Sequence, residues 1–114
     1  ISPNQNIYRK EGVAEEDQTI KPVSYSVVKH GIMGLTKYLA TYWGKKGVRV
    51  NTLCPASLQN GQDPEFIEKL SALVPMGRMS RPDEYPATVL YMLSDASSYM
   101  TGATVVLDGG RTIW

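Results

Sequence analysis

The sequence predicts an α/β fold in which two short parallel strands are flanked by helices. Segments with a helical spacing of apolar residues alternate with short apolar runs rich in β-branched residues, which is typical of parallel sheets. A right-handed crossover through the intervening helices would place the two strands side by side. Two strands alone make a marginally stable sheet, so we expect this chain to form the end of a larger sheet.

The first half of the chain predicts a surface loop followed by a long helix. Residues 1–22 are polar and have no hydrophobic period. The helix is predicted over residues 24–43, with Ser24 as its N-cap and with Gly44 and Gly47 at its C-terminal end. At 100° per residue its apolar side chains form a stripe about 160° wide, which exceeds the stripe of a typical surface helix and predicts two packing partners. The stripe consists of Val27, Val28, Ile32, Leu35, Tyr38, Leu39, Tyr42 and Trp43.

The second half predicts two strands separated by two helices. The β-branched run from Val48 to Cys54 predicts a strand, and residues 55–62 predict a loop. Asp63-Pro64-Glu65 is a typical helix start, and Pro75 ends that helix. A third helix is predicted from Pro82 to Leu93, although Pro86 interrupts its pattern. The run from Ala103 to Leu107 predicts a buried strand that Asp108-Gly109-Gly110 terminates.

Composition excludes several classes of protein. The chain has 114 residues, enough for one domain, and a net charge of +1, which gives no electrostatic basis for binding nucleic acid or an anionic membrane. No apolar run approaches the roughly 20 residues of a membrane span, and no signal peptide is evident. The single cysteine, Cys54, and single histidine, His30, exclude an internal disulfide and disfavour a Cys/His zinc site. We therefore expect a cytoplasmic protein with no metal site.

Tyr25 and Lys29 are the candidate chemical pair on the long helix. They are four residues apart and therefore share a helix face. An unperturbed phenol has a pKa of about 10, and an adjacent ammonium group favours its charged form, so such a pair can exchange a proton with a carbonyl or alcohol oxygen. The spacing alone is weak, because Tyr42 and Lys46 repeat it. A tyrosine packed at the protein surface beside a solvated lysine is the structural alternative for both pairs.

A series of motifs supports the Tyr25 pair. In chain order these are Ser24-Tyr25-Ser26-Val27-Val28-Lys29, Gly47-Val48-Arg49-Val50-Asn51-Thr52-Leu53-Cys54-Pro55, Pro75-Met76-Gly77-Arg78, the segment from Ser94 to Gly102, and Asp108-Gly109-Gly110. The series resembles the C-terminal half of the single-domain short-chain dehydrogenases/reductases over about residues 23–110. The resemblance implies the last two strands of a Rossmann-like, doubly wound parallel sheet, with residues 1–22 as a surface loop and residues 23–114 as this half-domain.

The same resemblance implies roles for individual residues. Tyr25 corresponds to the catalytic acid/base, and Lys29 to the residue that binds the nicotinamide ribose. Within the segment from Pro55 to Asn60, it implies cofactor contacts to NAD or NADP from Pro55, Ala56, Leu58 and Asn60. Residues 61–76 correspond to the segment that covers the substrate, a small carbonyl compound or alcohol. The family's equivalent of the long helix packs across a two-fold axis, which implies a homodimer or homotetramer through residues 24–43.

Three departures from the family pattern leave an alternative open. The Gly-rich turn that binds the pyrophosphate is absent, and so is a convincing catalytic serine, which we expect upstream of Ile1. Ala56 stands where glycine is usual, and Pro86 where a helix former is usual. The chain is therefore either part of a complete oxidoreductase or a catalytically silent fragment that acts through association. Its segments Gly61-Gln62-Asp63 and Gly110 to Trp114 most resemble enzymes that modify bacterial surface sugars.

Overall fold

The computed structural model describes residues 2–113 and confirms the α/β fold. Strands β1 (Thr52–Pro55) and β2 (Thr104–Leu107) pair in parallel, residue for residue. Residues 2–113 also form three α-helices: α1 (Val23–Trp43), α2 (Pro64–Ser71) and α3 (Pro86–Leu93). Five short 3-10 helices fill connections in the described part of the chain, at Gln5–Tyr8, Glu15–Asp17, Gly44–Lys46, Pro82–Glu84 and Asp95–Ser97. Ile1 and Trp114, at the ends of the two predicted segments, lie outside the described residues.

Helix α1 starts one residue earlier than predicted and without the predicted cap. Pro22 occupies the N-cap position, where no side chain accepts a hydrogen bond, and Ser24 lies inside the first turn. The prediction that Ser24 caps the helix was wrong, because the helical geometry begins directly after the proline. The predicted C-terminal end is confirmed: Gly47 adopts a left-handed conformation, with φ of 78°, and its N–H donates to the Gly44 carbonyl at 3.0 Å.

Both strands begin later than predicted because, before them, the Asn51 side chain takes the place of backbone hydrogen bonds between the two segments. Asn51 donates from Nδ2 to the Met100 carbonyl at 2.9 Å. Its Oδ1 accepts from the Ala103 N–H at 3.0 Å. These bonds occupy backbone groups that strand pairing would otherwise use, so β1 starts at Thr52 instead of Val48 and β2 at Thr104 instead of Ala103.

The two later helices are shorter than predicted. The start of α2 is confirmed, since the Asp63 carboxylate accepts from the Glu65 N–H at 3.0 Å and Pro64 is the first helical residue. The helix ends at Ser71, before the predicted stop. Pro86 is not a flaw inside a longer helix; it is the first residue of α3, where a missing N–H costs no helical hydrogen bond.

Helix α1 runs antiparallel to the strands. Thr52, at the start of β1, donates through its hydroxyl to the Thr36 hydroxyl at 2.7 Å, and both residues are buried. Ala40, one helical turn further along α1, lies beside Gly102, which precedes β2; a Cβ at Gly102 would lie 3.5 Å from that of Ala40. The N-terminal end of α1 therefore points toward the carboxyl edge of the sheet.

The segment before α1 packs against α2. Ile7 is buried in one cluster with Leu70 of α2 and Met79. The ring centroids of Tyr8 and Phe66 are 5.6 Å apart. Much of residues 2–22 is exposed, but this cluster ties the segment to the helix that follows β1.

One ion pair and one hydrogen bond from an ammonium group reinforce this packing. Lys10 pairs with Asp63 at 3.2 Å, and the Lys69 ammonium donates to the Arg9 carbonyl at 2.6 Å. No helix within residues 2–113 is long and apolar enough to cross a membrane.

Candidate active site

Tyr25 lies in the first turn of α1, at the carboxyl edge of the sheet. Its side chain is 40% exposed. Within residues 2–113 no hydrogen bond occupies its phenol oxygen, although its ring contacts two lysines. The phenol is therefore available to bond an oxygen atom of a bound molecule.

Two ammonium groups lie near the Tyr25 ring. The Nζ of Lys29, one helical turn away, is 5.7 Å from the ring centroid, and the Nζ of Lys21 is 4.5 Å from it. Both distances allow a cation–π interaction. Sequence analysis found Lys29 through its helical spacing but missed Lys21, which precedes the helix and shares no periodic pattern with Tyr25. His30 bonds back to the Ser26 carbonyl at 2.8 Å and lies exposed on the helix surface, as expected for a helix residue without a role in the site.

Tyr8 is the second aromatic residue near the Lys21 ammonium, on which Tyr25 also borders. The Lys21 Nζ is 5.8 Å from its ring centroid. Burial raises the pKa of the Tyr8 phenol, and the repulsion that a Tyr8 phenolate would meet from the Tyr25 side chain adds to the rise. An open groove of about 300 Å³ continues from Tyr8 between the 2–22 segment and α2. Its polar lining includes Lys10, Thr19, Gln62 and Asp63.

The predicted cofactor loop, Pro55 to Asn60, leaves the carboxyl end of β1. Pro55 is the last strand residue, and the Ala56 N–H donates to the Leu107 carbonyl of β2 at 2.9 Å. The Tyr85 hydroxyl donates to the Ala56 carbonyl at 3.3 Å. Both backbone groups of Ala56 are thereby held. Its φ is not positive, so alanine is accommodated without backbone strain where the family resemblance implies glycine.

Leu58 presents a free backbone donor in the middle of this loop. Its neighbours pair with Ser80: the Gln59 N–H donates to the Ser80 carbonyl at 2.9 Å, and the Ser80 N–H donates to the Ser57 carbonyl at 3.3 Å. The N–H of Leu58 itself has no hydrogen-bond partner among residues 2–113. It can therefore donate to a bound molecule.

Gln62 closes the loop from its other end. Its Oε1 accepts from the Asn60 N–H, and its Nε2 donates to the Leu58 carbonyl, both at 2.7 Å. A single side-chain amide thus fixes two of the predicted cofactor residues. Sequence analysis noted Gln62 only as part of a family-like segment, because nothing in the linear pattern shows which backbone groups a glutamine will bond.

The structure groups the predicted residues in two sets. Tyr25 and Lys29 lie together on α1, and Pro55, Ala56, Leu58 and Asn60 lie together after β1. Within residues 2–113 no hydrogen bond, ion pair or ring contact joins the two sets, but both stand at the carboxyl edge of the sheet. In open α/β sheets, ligands bind outside this edge.

The residues present fit the nicotinamide end of a dinucleotide. The free Leu58 N–H matches a carboxamide oxygen, and the Lys29 ammonium, which has no carboxylate partner among the described residues, matches ribose hydroxyls. The sequence offers no Gly-rich strand-to-helix turn for the pyrophosphate. Across residues 2–113, no group of three or more His, Cys, Asp or Glu side chains could hold a metal ion.

A model of a family described as enoyl-(acyl carrier protein) reductase matches residues 11–112 of the chain. The chain belongs to the short-chain dehydrogenase/reductase family. Its relatives include galactitol 2-dehydrogenase (L-tagatose-forming) of Cereibacter sphaeroides, 40% identical over 80% of this chain and 38% of the relative. NADH-dependent L-xylulose reductase of Ambrosiozyma monospora is 41% identical over 81% of this chain and 37% of the relative. The chain therefore spans less than two fifths of the length of these short-chain dehydrogenases/reductases.

Solved structures of this family share the fold. A short-chain dehydrogenase from Leptospira borgpetersenii, solved with bound NAD+, superposes with a TM-score of 0.79 at 33% identity. The match covers 90% of this chain and 40% of that structure. The parallel pair β1–β2 with its helices thus matches part of a Rossmann-like fold, as the family resemblance implied.

An ion pair fixes the segment that supports the predicted cofactor loop in this short-chain dehydrogenase/reductase. Arg78 donates to both carboxylate oxygens of Glu84, at 2.8 and 2.6 Å, and the Arg81 N–H donates to the same carboxylate at 2.8 Å. The bonds from Arg78, and next that from the Arg81 backbone, lower the pKa of Glu84 to about 2. Arg78, Arg81 and Glu84 together are called the Glu84 clamp. Ser80 lies between the two arginines and Tyr85 directly follows Glu84, so the clamp positions both residues that hold the loop.

We predict that the Glu84 clamp stabilises the folded protein at neutral pH and that this stabilisation is lost in acid. The pKa of Glu84 falls from 4.5 to about 2 on folding, so its contribution is complete above pH 4.5 and is lost as pH falls toward 2. Glu84→Gln should lower the thermal midpoint at neutral pH, and the difference from wild type should shrink below pH 4.5. Asp83→Asn is the control, because the Asp83 side chain is 73% exposed against 27% for Glu84. A difference that stays constant with pH would contradict this assignment.

Proposed function

We propose that this chain is the C-terminal half of an NAD(P)-dependent oxidoreductase that interconverts a carbonyl and a secondary alcohol. One observation carries the proposal. Tyr25 presents an unbonded phenol beside the Lys29 ammonium at the edge of the sheet where the Leu58 N–H is also free. Membership of the short-chain dehydrogenase/reductase family supports it.

In this proposal Tyr25 is the acid/base. During reduction its hydroxyl donates a proton to the carbonyl oxygen, and during oxidation its phenolate accepts the proton of the alcohol. The positive charge of Lys29 stabilises the phenolate that forms. Because the phenol has no other hydrogen-bond partner within residues 2–113, no internal bond must break before the substrate binds.

The proposed cofactor is NAD or NADP. Lys29 would bind the ribose hydroxyls, and the backbone of Leu58 would bind the carboxamide, in a loop that Pro55, Ala56 and Asn60 complete. Bound there, the nicotinamide supplies or accepts the hydride. Gln62 and Ser80 would keep this loop in one conformation, which reduces the entropy cost of binding.

The dinucleotide-binding half is proposed to lie upstream of residue 1, together with the catalytic serine. The Cα radius of gyration is 17.1 Å, whereas a compact domain of this length has about 13 Å. The two-stranded sheet also falls short of the three strands that independent stability usually needs. An incomplete sheet and an extended shape are what half of a larger domain would show.

The proposed substrate is a small hydroxyl-bearing compound of the sugar or polyol class. The relatives named after galactitol and L-xylulose support this class, and so does the polar groove beyond Tyr8. The resemblance to bacterial surface-sugar enzymes points to the same chemistry. With its single cysteine, the protein is proposed to be cytoplasmic.

Helix α1 is proposed to pack against a second copy of the protein. Leu35, Tyr38 and Tyr42 are 55%, 62% and 61% exposed, and the two tyrosine rings stack with centroids 5.9 Å apart. A contiguous aromatic surface of this kind is unusual on a free helix and typical of a subunit interface. This matches the homodimer or homotetramer that the family resemblance implies.

The acid/base role predicts the effect of Tyr25→Phe in the full-length protein. Turnover of a polyol such as galactitol should fall about 100-fold to 10,000-fold, because the proton transfer is lost. Cofactor binding, followed by nicotinamide fluorescence, should change little. Tyr42→Phe is the matched control and should keep wild-type turnover. Wild-type turnover in Tyr25→Phe would refute the role and favour the catalytically silent alternative.

The assembly proposal predicts the effect of charge on the exposed face of α1. In sedimentation velocity the full-length protein should be a dimer or tetramer, and the double variant Leu35→Glu, Tyr38→Glu should dissociate, because a buried carboxylate without a partner is costly. Lys37→Glu, on the same helix, should leave the assembly intact. A wild-type monomer, or a double variant that stays assembled, would overturn the interface.

A further inference from the structure

We propose that Lys21 binds a carboxylate of the substrate, which makes the substrate a polyhydroxy acid. The inference rests on the proposed oxidoreductase function and narrows its substrate class. Lys21 has no assigned role so far, yet its ammonium group is closer to the Tyr25 ring than that of Lys29.

The backbone of Lys21 is held in place from a distance in sequence. The Gln5 side chain accepts from the Lys21 N–H at 2.9 Å and donates to the Lys21 carbonyl at 3.1 Å. The two bonds span 16 residues and fix both backbone groups of one residue. Pro22 adds rigidity, because the residue before a proline is restricted to extended conformations.

The side chain of Lys21 stands between two aromatic rings. Its Nζ is 4.5 Å from the Tyr25 centroid and 5.8 Å from the Tyr8 centroid, and the residue is half-buried. The rings restrict the position of a side chain that would otherwise be mobile. A cation fixed in this way meets a ligand with less loss of entropy than a free surface lysine.

Like Lys29, Lys21 has no acidic partner among residues 2–113, whereas three cations around the groove and α2 are paired. Arg9 pairs with Glu15, Lys10 with Asp63 and Lys69 with Glu65. No carboxylate within residues 2–113 lies within 4.0 Å of the Lys21 ammonium. An unpaired, half-buried ammonium group beside the proposed acid/base has the charge and the position to bind an anionic group of the reacting molecule.

A groove that shares Tyr8 with the Lys21 contact is the proposed place for the rest of such a molecule. Tyr8, whose ring centroid is 5.8 Å from the Lys21 Nζ, is one of its lining residues, and its volume of about 300 Å³ is at the lower end of small-molecule sites. Thr19 and Asp63 in its wall offer hydroxyl and carboxylate groups that can bond sugar hydroxyls. A carboxylate suits the single ammonium better than a phosphate, which usually binds to several donors.

The first test is binding of galactonate and galactitol, which differ at one terminal carbon, to the full-length protein by calorimetry. Galactonate should bind about tenfold more tightly, in line with one charge-assisted hydrogen bond. Lys21→Met should remove this advantage, and Lys21→Arg should retain most of it. Lys37→Met, an exposed lysine on α1, is the control and should leave both affinities unchanged. Circular dichroism of each variant verifies its fold.

The second test is the ratio of kcat/KM for galactonate to that for galactitol. Lys21→Met should lower this ratio about tenfold, while Lys37→Met should not alter it. A ratio that is unchanged in Lys21→Met, or wild-type protein that binds galactonate no more tightly than galactitol, would overturn the carboxylate site. If galactonate binds in a Lys21-dependent way but neither compound is oxidised, the site is supported and the proposed oxidoreductase function fails.

Discussion

The antiparallel packing of α1 on the two parallel strands is the constraint on which the site depends. The buried hydroxyl pair of Thr36 and Thr52 and the close approach of Ala40 to Gly102 fix the direction of the helix. Because α1 runs antiparallel to β1, the first turn of the helix lies at the edge of the sheet where β1 ends. Ala56, the residue after β1, lies at the same edge. Tyr25 and the loop from Pro55 to Asn60 therefore lie at the same edge of the sheet, with no hydrogen bond, ion pair or ring contact between them within residues 2–113.

Around this frame, side-chain hydrogen bonds to backbone groups set the local geometry. Asn51 joins the segments that precede the strands, and Gln62 closes the proposed cofactor loop. Gln5 holds Lys21 in the same manner, through both of its backbone groups. Each of these amides bonds a donor and an acceptor at once, so one substitution would release two contacts. The proposed site thus depends on side chains whose amides are occupied by backbone groups of the chain itself.

The sequence predicted the elements well where the signal is local. The Asp63-Pro64 start of α2 and the Gly47 end of the 3-10 helix that follows α1 have direct steric and hydrogen-bonding causes, and both are confirmed. Strand starts were wrong because Asn51 bonds residues about 50 positions away, which no local pattern shows. The Tyr25–Lys29 pair followed from helical spacing, whereas Lys21 reaches Tyr25 only through the path of the preceding segment.

The most direct test of the proposed site is a crystal structure of the full-length protein with NAD+ bound. The carboxamide oxygen should accept from the Leu58 N–H, the Lys29 ammonium should contact the ribose hydroxyls, and the nicotinamide ring should lie beside Tyr25. A cofactor whose nicotinamide lies away from both Leu58 and Tyr25, or a Lys29 that contacts no part of it, would contradict the assignment.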